Sequence, residues 1–122
     1  MTFFAFGLNH EEASIVRREA FAMDAEAMRD LYRSLELSPD AEIVLLSTCN
    51  RTEAYLYGKS RDVAQVKETL AARASTAWPE ESAFSYEDEE AIRHVLEVAA
   101  GVRSQVLGDN QILAQLKDAY GL

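Results

Sequence analysis

The sequence predicts an α+β fold, with strand-like and helical runs alternating through the first 87 residues and a helical pattern after them. Three observations carry this. The runs 2–9, 42–48, 53–58 and 83–87 are short and rich in aromatic and β-branched residues. Met28, Leu31, Tyr32 and Leu35 recur at i, i+3, i+4 and i+7, the spacing of one helix face. A second such stripe, Val63, Val66, Leu70 and Ala74, lies between the third and fourth strand-like runs.

Each element has its own local reason. TFFAFGLN (2–9) is a compact aromatic-rich strand ending near Gly7 and Asn9. Residues 10–23 are mixed in pattern, with a short helical turn from Ser14. Asp24 suits the N-cap of the helix that carries Met28 to Leu35. Ser38-Pro39-Asp40 stops that helix, because proline cannot continue it and Ser and Asp suit a turn. EIVLLST (42–48) and EAYLYG (53–58) form a hairpin-like pair around CNRT. A helix follows from Ser60, then a loop (75–82) and a last strand at 83–87. Strand, helix, strand, strand, helix, strand is the order of a split βαβ, or ferredoxin-like, sandwich (βαββαβ) with helices on one face of the sheet.

Residues 88–122 read as a second, helical subdomain. Asp88 to Glu90 favour a helix start, Ile92, Val95, Leu96 and Ala99 form its stripe, and Gly101 ends it. Ile112, Leu113, Leu116, Ala119 and Tyr120 begin another stripe that is still running at Leu122. The expectation is a piece of a longer protein, cut within a long interdomain helix.

The totals exclude several classes. With 48% apolar and 27% charged residues in 122, this is ordinary globular composition, long enough to bury roughly two thirds of the surface of its unfolded chain. A formal charge of −9 argues against a broad nucleic-acid grip, although one end of a nucleic acid could still enter. A single cysteine forms no internal disulfide, and neither a signal peptide nor a membrane-spanning run is present, so the expected location is the cytoplasm. Two histidines and one cysteine make no metal site. Without GxGxxG or GxxxxGK[ST], the chain has no cradle for a dinucleotide or triphosphate.

The chemistry concentrates at STCNRTE. Cys49 sits at a polar break between two apolar runs, where loops on a rigid scaffold commonly carry function. Arg51 and the turn amides would favour a thiolate, which is the nucleophilic form. From spacing alone, nucleophile and structural thiol stay equally open. Arg51 reads either as a solvated charge or as a bidentate grip on a carboxylate or phosphate. Thr48 and Asn50 read as local turn chemistry or as ligand contacts. His94 adjoins the apolar face of the helix over 88–100, as a buried structural residue or as a proton shuttle. Ser104, Asp109, Asn110, Gln111 and Gln115 gather polar groups between two apolar stripes, and Asp109 or Asn110 suits an N-cap.

Three stretches, GLNH (7–10), LLSTCNRTEAY (45–55) and HVLEVAAGVRSQVLGDNQILAQLKDAY (94–120), together resemble the N-terminal catalytic domain of the glutamyl-tRNA reductase family. The resemblance implies that Cys49 attacks the aminoacyl ester of glutamyl-tRNA to give a glutamyl thioester. NADPH, on a separate following domain, then reduces it to glutamate-1-semialdehyde for 5-aminolevulinate and tetrapyrrole synthesis. It places His94 near the thiol, and Thr48, Asn50, Arg51, Ser104, Asp109, Asn110, Gln111 and Gln115 in the substrate pocket. The implied partners are the acceptor end of glutamyl-tRNA, a second copy through a C-terminal dimerisation domain, and the downstream aminomutase.

The chain departs from the family pattern at Glu11-Glu12, where a basic residue and a Ser or Thr are usual. It departs again at Asp109-Asn110, where Glu-Pro is common. These departures motivate a second reading, a ferredoxin-like binding or regulatory module without the chemistry. A third, a thiol hydrolase of small esters, would need His94 as base beside Cys49.

Overall fold

The computed structural model describes residues 1–101. Its elements run β1 (Thr2–Asn9), α1 (Ile15–Phe21), α2 (Ala25–Ser34), β2 (Glu42–Ser47), β3 (Arg51–Gly58), α3 (Ser60–Ala74), β4 (Phe84–Glu87) and α4 (Asp88–Ala99). A 3₁₀ turn over Glu80–Ser82 precedes β4. The strands make one four-stranded sheet in the order β2-β3-β1-β4, with every neighbouring pair antiparallel. The expected α+β class is what the structure shows. Its first crossover carries two helices, because the mixed segment after β1 holds a full helix capped by Ser14, whose Oγ accepts from Arg17 N–H.

Alternation along the strands gives the sheet two buried faces. Phe4, Phe6, Leu8, Leu45, Ala54 and Leu56 pack with Phe21, Leu31, Val66 and Leu70 of α1, α2 and α3. Trp78 closes this layer edge-on against Phe6 and Phe21, with ring centroids at 6.4 and 5.4 Å. Ala5, Leu46, Tyr55 and Phe84 line the opposite face, under Ala91 and Val98 of α4. The predicted stripe of α4 needs correction here. Ile92 and Leu96 are 50% and 65% exposed, whereas Ala91, His94 and Val98 are the buried positions. Val95 and Ala99 of the predicted stripe do pack against this layer, but the helix is rotated so that His94, with Ala91 and Val98, meets the sheet in place of Ile92 and Leu96.

Local polar bonds fix the elements. Asp24 caps α2 by accepting from Ala27 N–H at 2.8 Å, as its position predicts. Tyr32 Oη of α2 accepts the Leu45 N–H of β2 at 2.7 Å and so satisfies part of the edge strand's outer rim. Buried Asp62 in the first turn of α3 accepts from the backbone N–H of Lys59 and Ser38 and from the Ser38 hydroxyl, tying the loop before β2 to α3.

Burial alone would push the Asp62 carboxyl up, but those three hydrogen bonds, with Arg61 nearby, hold it below its usual 3.8. Because the folded-state value is the lower one, the stabilisation is present above the unfolded carboxylate range and is lost as pH falls through the folded value. Asp62→Ala is predicted to cost about 2 kcal/mol at pH 7 by urea denaturation. The gap from wild type should shrink at pH 3, and an equal gap at both pH values would contradict this account.

Candidate functional site

Strand β3 starts at Arg51, two residues earlier than the apolar pattern suggests, so the hairpin connection is only Thr48, Cys49 and Asn50. Charged Arg51 and polar Thr52 hide the strand start, since both are buried and bonded within the fold. Thr48 N–H donates to the Arg51 carbonyl at 2.8 Å, and Asn50 N–H donates to Thr48 Oγ1 at 3.1 Å. Turn chemistry therefore accounts for Thr48. Asn50 goes further, since its Oδ1 accepts from Arg18 Nη1 of α1 at 3.4 Å. Ser47 and Thr52 pair beneath the turn at 3.2 Å, and they also bond Met23 N–H and the Phe21 carbonyl. The turn is thus anchored to α1 and to the link into α2. At its tip Cys49 is exposed, which settles against the buried structural thiol.

Below the turn, on the face covered by α4, lies a polar network without solvent contact. Arg51 Nη1 donates to Glu53 Oε2 at 2.6 Å, and both side chains are 0% exposed. His94 Nε2 lies 2.6 Å from Glu53 Oε1, which also accepts from Tyr55 Oη at 2.8 Å. The His94 ring packs against Phe84 and Tyr86, with centroids at 4.5 and 5.2 Å. Arg51 is therefore no solvated surface charge, and its carboxylate partner in the resting chain is internal. The structure brings Arg51 and His94 together through Glu53, directly beneath the strand that leads from Cys49. Ser104, Asp109, Asn110, Gln111 and Gln115 lie outside the described residues.

Sequence reasoning missed Glu53, Tyr55, Asn9, His10 and Arg18. The available signal for Glu53 was an opposite charge two residues from Arg51 in a strand otherwise apolar, which puts both on one face. Asn9, 1% exposed, accepts the Glu11 and Glu12 N–H groups on Oδ1 and so shapes the loop that presents His10 beside the turn. Burial, then the nearby Arg51 charge, hold His10 below its usual 6.5, with Arg18 contributing in the same direction. Arg18 and Arg51 both act on His10, while Glu11 and Glu12 oppose them and Glu53 compensates the Arg51 charge. Gly7 stands opposite Glu53 in the β1–β3 register. A Cβ there would collide with the Thr52 carbonyl oxygen and lie 2.7 Å from the Glu53 Cα. Among the described residues no group of three or more potential ligands could hold a metal, and no helix is long and apolar enough to cross a membrane.

The site thus sets an exposed thiol on a tight hairpin, over a buried Arg–Glu–His network at one end of an antiparallel sheet. The comparisons are specific. The family model described as "Glutamyl-tRNAGlu reductase, N-terminal domain" matches residues 6–122. A glutamyl-tRNA reductase from Salinibacter ruber is 56% identical over 120 residues, covering 98% of this chain and 25% of the relative. One from Chromohalobacter salexigens is 43% identical over 126 residues, covering 100% of this chain and 30% of the relative. Among solved structures, glutamyl-tRNA reductase from Methanopyrus kandleri aligns with a TM-score of 0.72 at 31% identity, over 98% of this chain and 27% of that one. The chain belongs to the glutamyl-tRNA reductase N-terminal domain family, and it spans between a quarter and a third of the length of these relatives.

Two outcomes test the site geometry. Gly7→Ala is predicted to lower stability by about 2 kcal/mol or more, because only backbone atoms can yield to the added methyl; a melting temperature within a degree of wild type would refute it. An NMR titration of His10 should give a midpoint below 6.5, and one above that value would mean that burial and the Arg51 charge do not outweigh Glu11 and Glu12 there.

Proposed function

We propose that this chain is the catalytic domain of an NADPH-dependent glutamyl-tRNA reductase and carries out acyl transfer from the tRNA to Cys49. The observation that carries the reading is an exposed thiol held on a three-residue turn beside a buried arginine, in a member of this family. The Cys49 thiolate adds to the ester carbonyl of glutamyl-tRNA. The carbon–sulfur bond forms, the ester carbon–oxygen bond breaks, and the terminal ribose hydroxyl leaves with a proton. The product is a glutamyl thioester.

Because the α-carboxyl of the glutamate is consumed in the ester, its side-chain carboxylate is the handle that identifies it. On this reading Arg51, paired to Glu53 and buried in the resting chain, turns to the substrate carboxylate when it binds, with Thr48 and Asn50 at the turn and Ser104, Asp109, Asn110, Gln111 and Gln115 completing the pocket. His94 serves beside them in holding or moving a proton. An activated ester needs no strong base beside the attacking thiolate. The acidic surface is compatible, because only the acceptor end of the tRNA enters.

NADPH supplies the hydride that completes the family reaction, to glutamate-1-semialdehyde and onward to tetrapyrroles, but the described residues do not fit it. The sheet is entirely antiparallel. Its glycine-bearing turn into a helix, Gly58-Lys59, has the Asp62 carboxylate 2.8 Å from where a Gly58 Cβ would stand, and that charge would repel a phosphate. On this reading the cofactor is held by a separate following domain, as the family resemblance implies. A homodimer through a further domain, the aminomutase as a partner and a cytoplasmic location belong to the same reading. The strand order supports a ferredoxin-like split βαβ unit over 1–87, with 88–122 completing the pocket and starting the interdomain helix.

Incubation with glutamyl-tRNA followed by intact-mass measurement tests the proposal. Wild type should gain one glutamyl adduct, and Cys49→Ser should lose it at unchanged melting temperature. A folded wild-type chain that binds the tRNA yet never acquires the adduct would instead favour a non-catalytic binding module.

A further inference from the structure

We propose that Glu53 is a positioning residue for this acyl transfer, one carboxylate that sets Arg51 and His94 relative to each other and keeps the His94 proton on Nε2. The inference rests on the acyl-transfer reading above. Both carboxylate oxygens are committed, Oε2 to Arg51 Nη1 at 2.6 Å, and Oε1 to His94 Nε2 at 2.6 Å and Tyr55 Oη at 2.8 Å. Arg51 and Glu53 share one face of β3, and His94 reaches them from α4, so the carboxylate links the strand that leaves the Cys49 turn to the helix covering it.

The chemistry of the donors fixes the tautomer. A carboxylate paired with a buried guanidinium only accepts hydrogen bonds, so His94 Nε2 must be the donor. In the neutral ring the lone pair then lies on Nδ1. That atom is buried and has no hydrogen-bond partner among the described residues. Phe84 and Tyr86 fix the ring plane, so Nδ1 cannot turn away to find one. A buried nitrogen left unmatched is unfavourable, and a histidine kept only for packing would be expected to avoid it. It suits a ring held ready to accept a hydrogen bond or proton from a bound substrate. The competing possibility is that Glu53 only neutralises buried Arg51.

The test is Glu53→Gln in this chain, read in two ways. Imidazole nitrogen NMR should show His94 as the Nε2–H tautomer in wild type and as a mixture of tautomers in Glu53→Gln. Single-turnover acylation of Cys49 by glutamyl-tRNA should slow by about 10- to 100-fold, the range seen when the carboxylate that orients a metal-bound histidine is lost. Glu53→Asp keeps the charge but is one methylene too short to reach both partners. It should retain the wild-type fold while showing the same tautomer mixture and part of the slowing, and it carries the test if Glu53→Gln does not fold. A His94 that stays fully Nε2–H in the folded variant, with acylation at the wild-type rate, would overturn the proposal and leave charge neutralisation as the role of Glu53. A wild-type chain that forms no adduct would defeat the acyl-transfer reading, and the tautomer measurement would still decide whether Glu53 orients His94.

Discussion

One buried carboxylate organises this end of the molecule. Glu53 is held in the middle of a sheet, where an isolated charge could not stay, and it persists because every group it faces is a donor. Removing one partner from such a buried ion pair costs about 3–5 kcal/mol, since the other charge is left without compensation. The constraint extends outward. Arg51 must lie in the strand rather than the loop, which shortens the turn above it to three residues. Helix α4 presents a histidine between Ala91 and Val98 to the sheet, which leaves Ile92 and Leu96 outside.

Strand β3 shows how two demands share one segment. Its even positions Ala54 and Leu56 enter the apolar layer under α1, α2 and α3, and its odd positions 51, 53 and 55 carry the polar network under α4. Alternation therefore separates stability from chemistry by face rather than by region. Gly7 completes the arrangement from the neighbouring strand, since β1 can lie this close to Thr52 and Glu53 only where it has no side chain.

The parts of the fold legible in the sequence were those governed by local rules. The Asp24 cap, the stripe of α2, the proline stop and the strand-rich runs all follow from short-range chemistry. What escaped depended on partners far along the chain. Arg51 looks like a loop residue until Glu53 and His94 are both known to face it. The face of α4 differs from its stripe at Ile92 and Leu96, which outweigh Ala91 and His94 in hydrophobicity, and the bond from His94 to the buried carboxylate favours the rotated face. Cys49 is legible as a thiol at a strand break, but Arg18, which bonds Asn50, and His10 beside Arg51 come from a helix and a loop whose approach no spacing rule announces.

The brevity of the hairpin has a mechanical meaning as well. Its backbone is closed by the bond between Thr48 N–H and the Arg51 carbonyl, and its flank is tied to α1 through Asn50. A group carried on Cys49 can move only as far as the rotations of one short side chain permit. Proteins that ferry acyl groups between stations use long flexible arms, and this turn is the reverse of one. On the proposed chemistry the thioester is a fixed post, so each reactant in succession has to travel to it, and the order of events is set by which of them gains access.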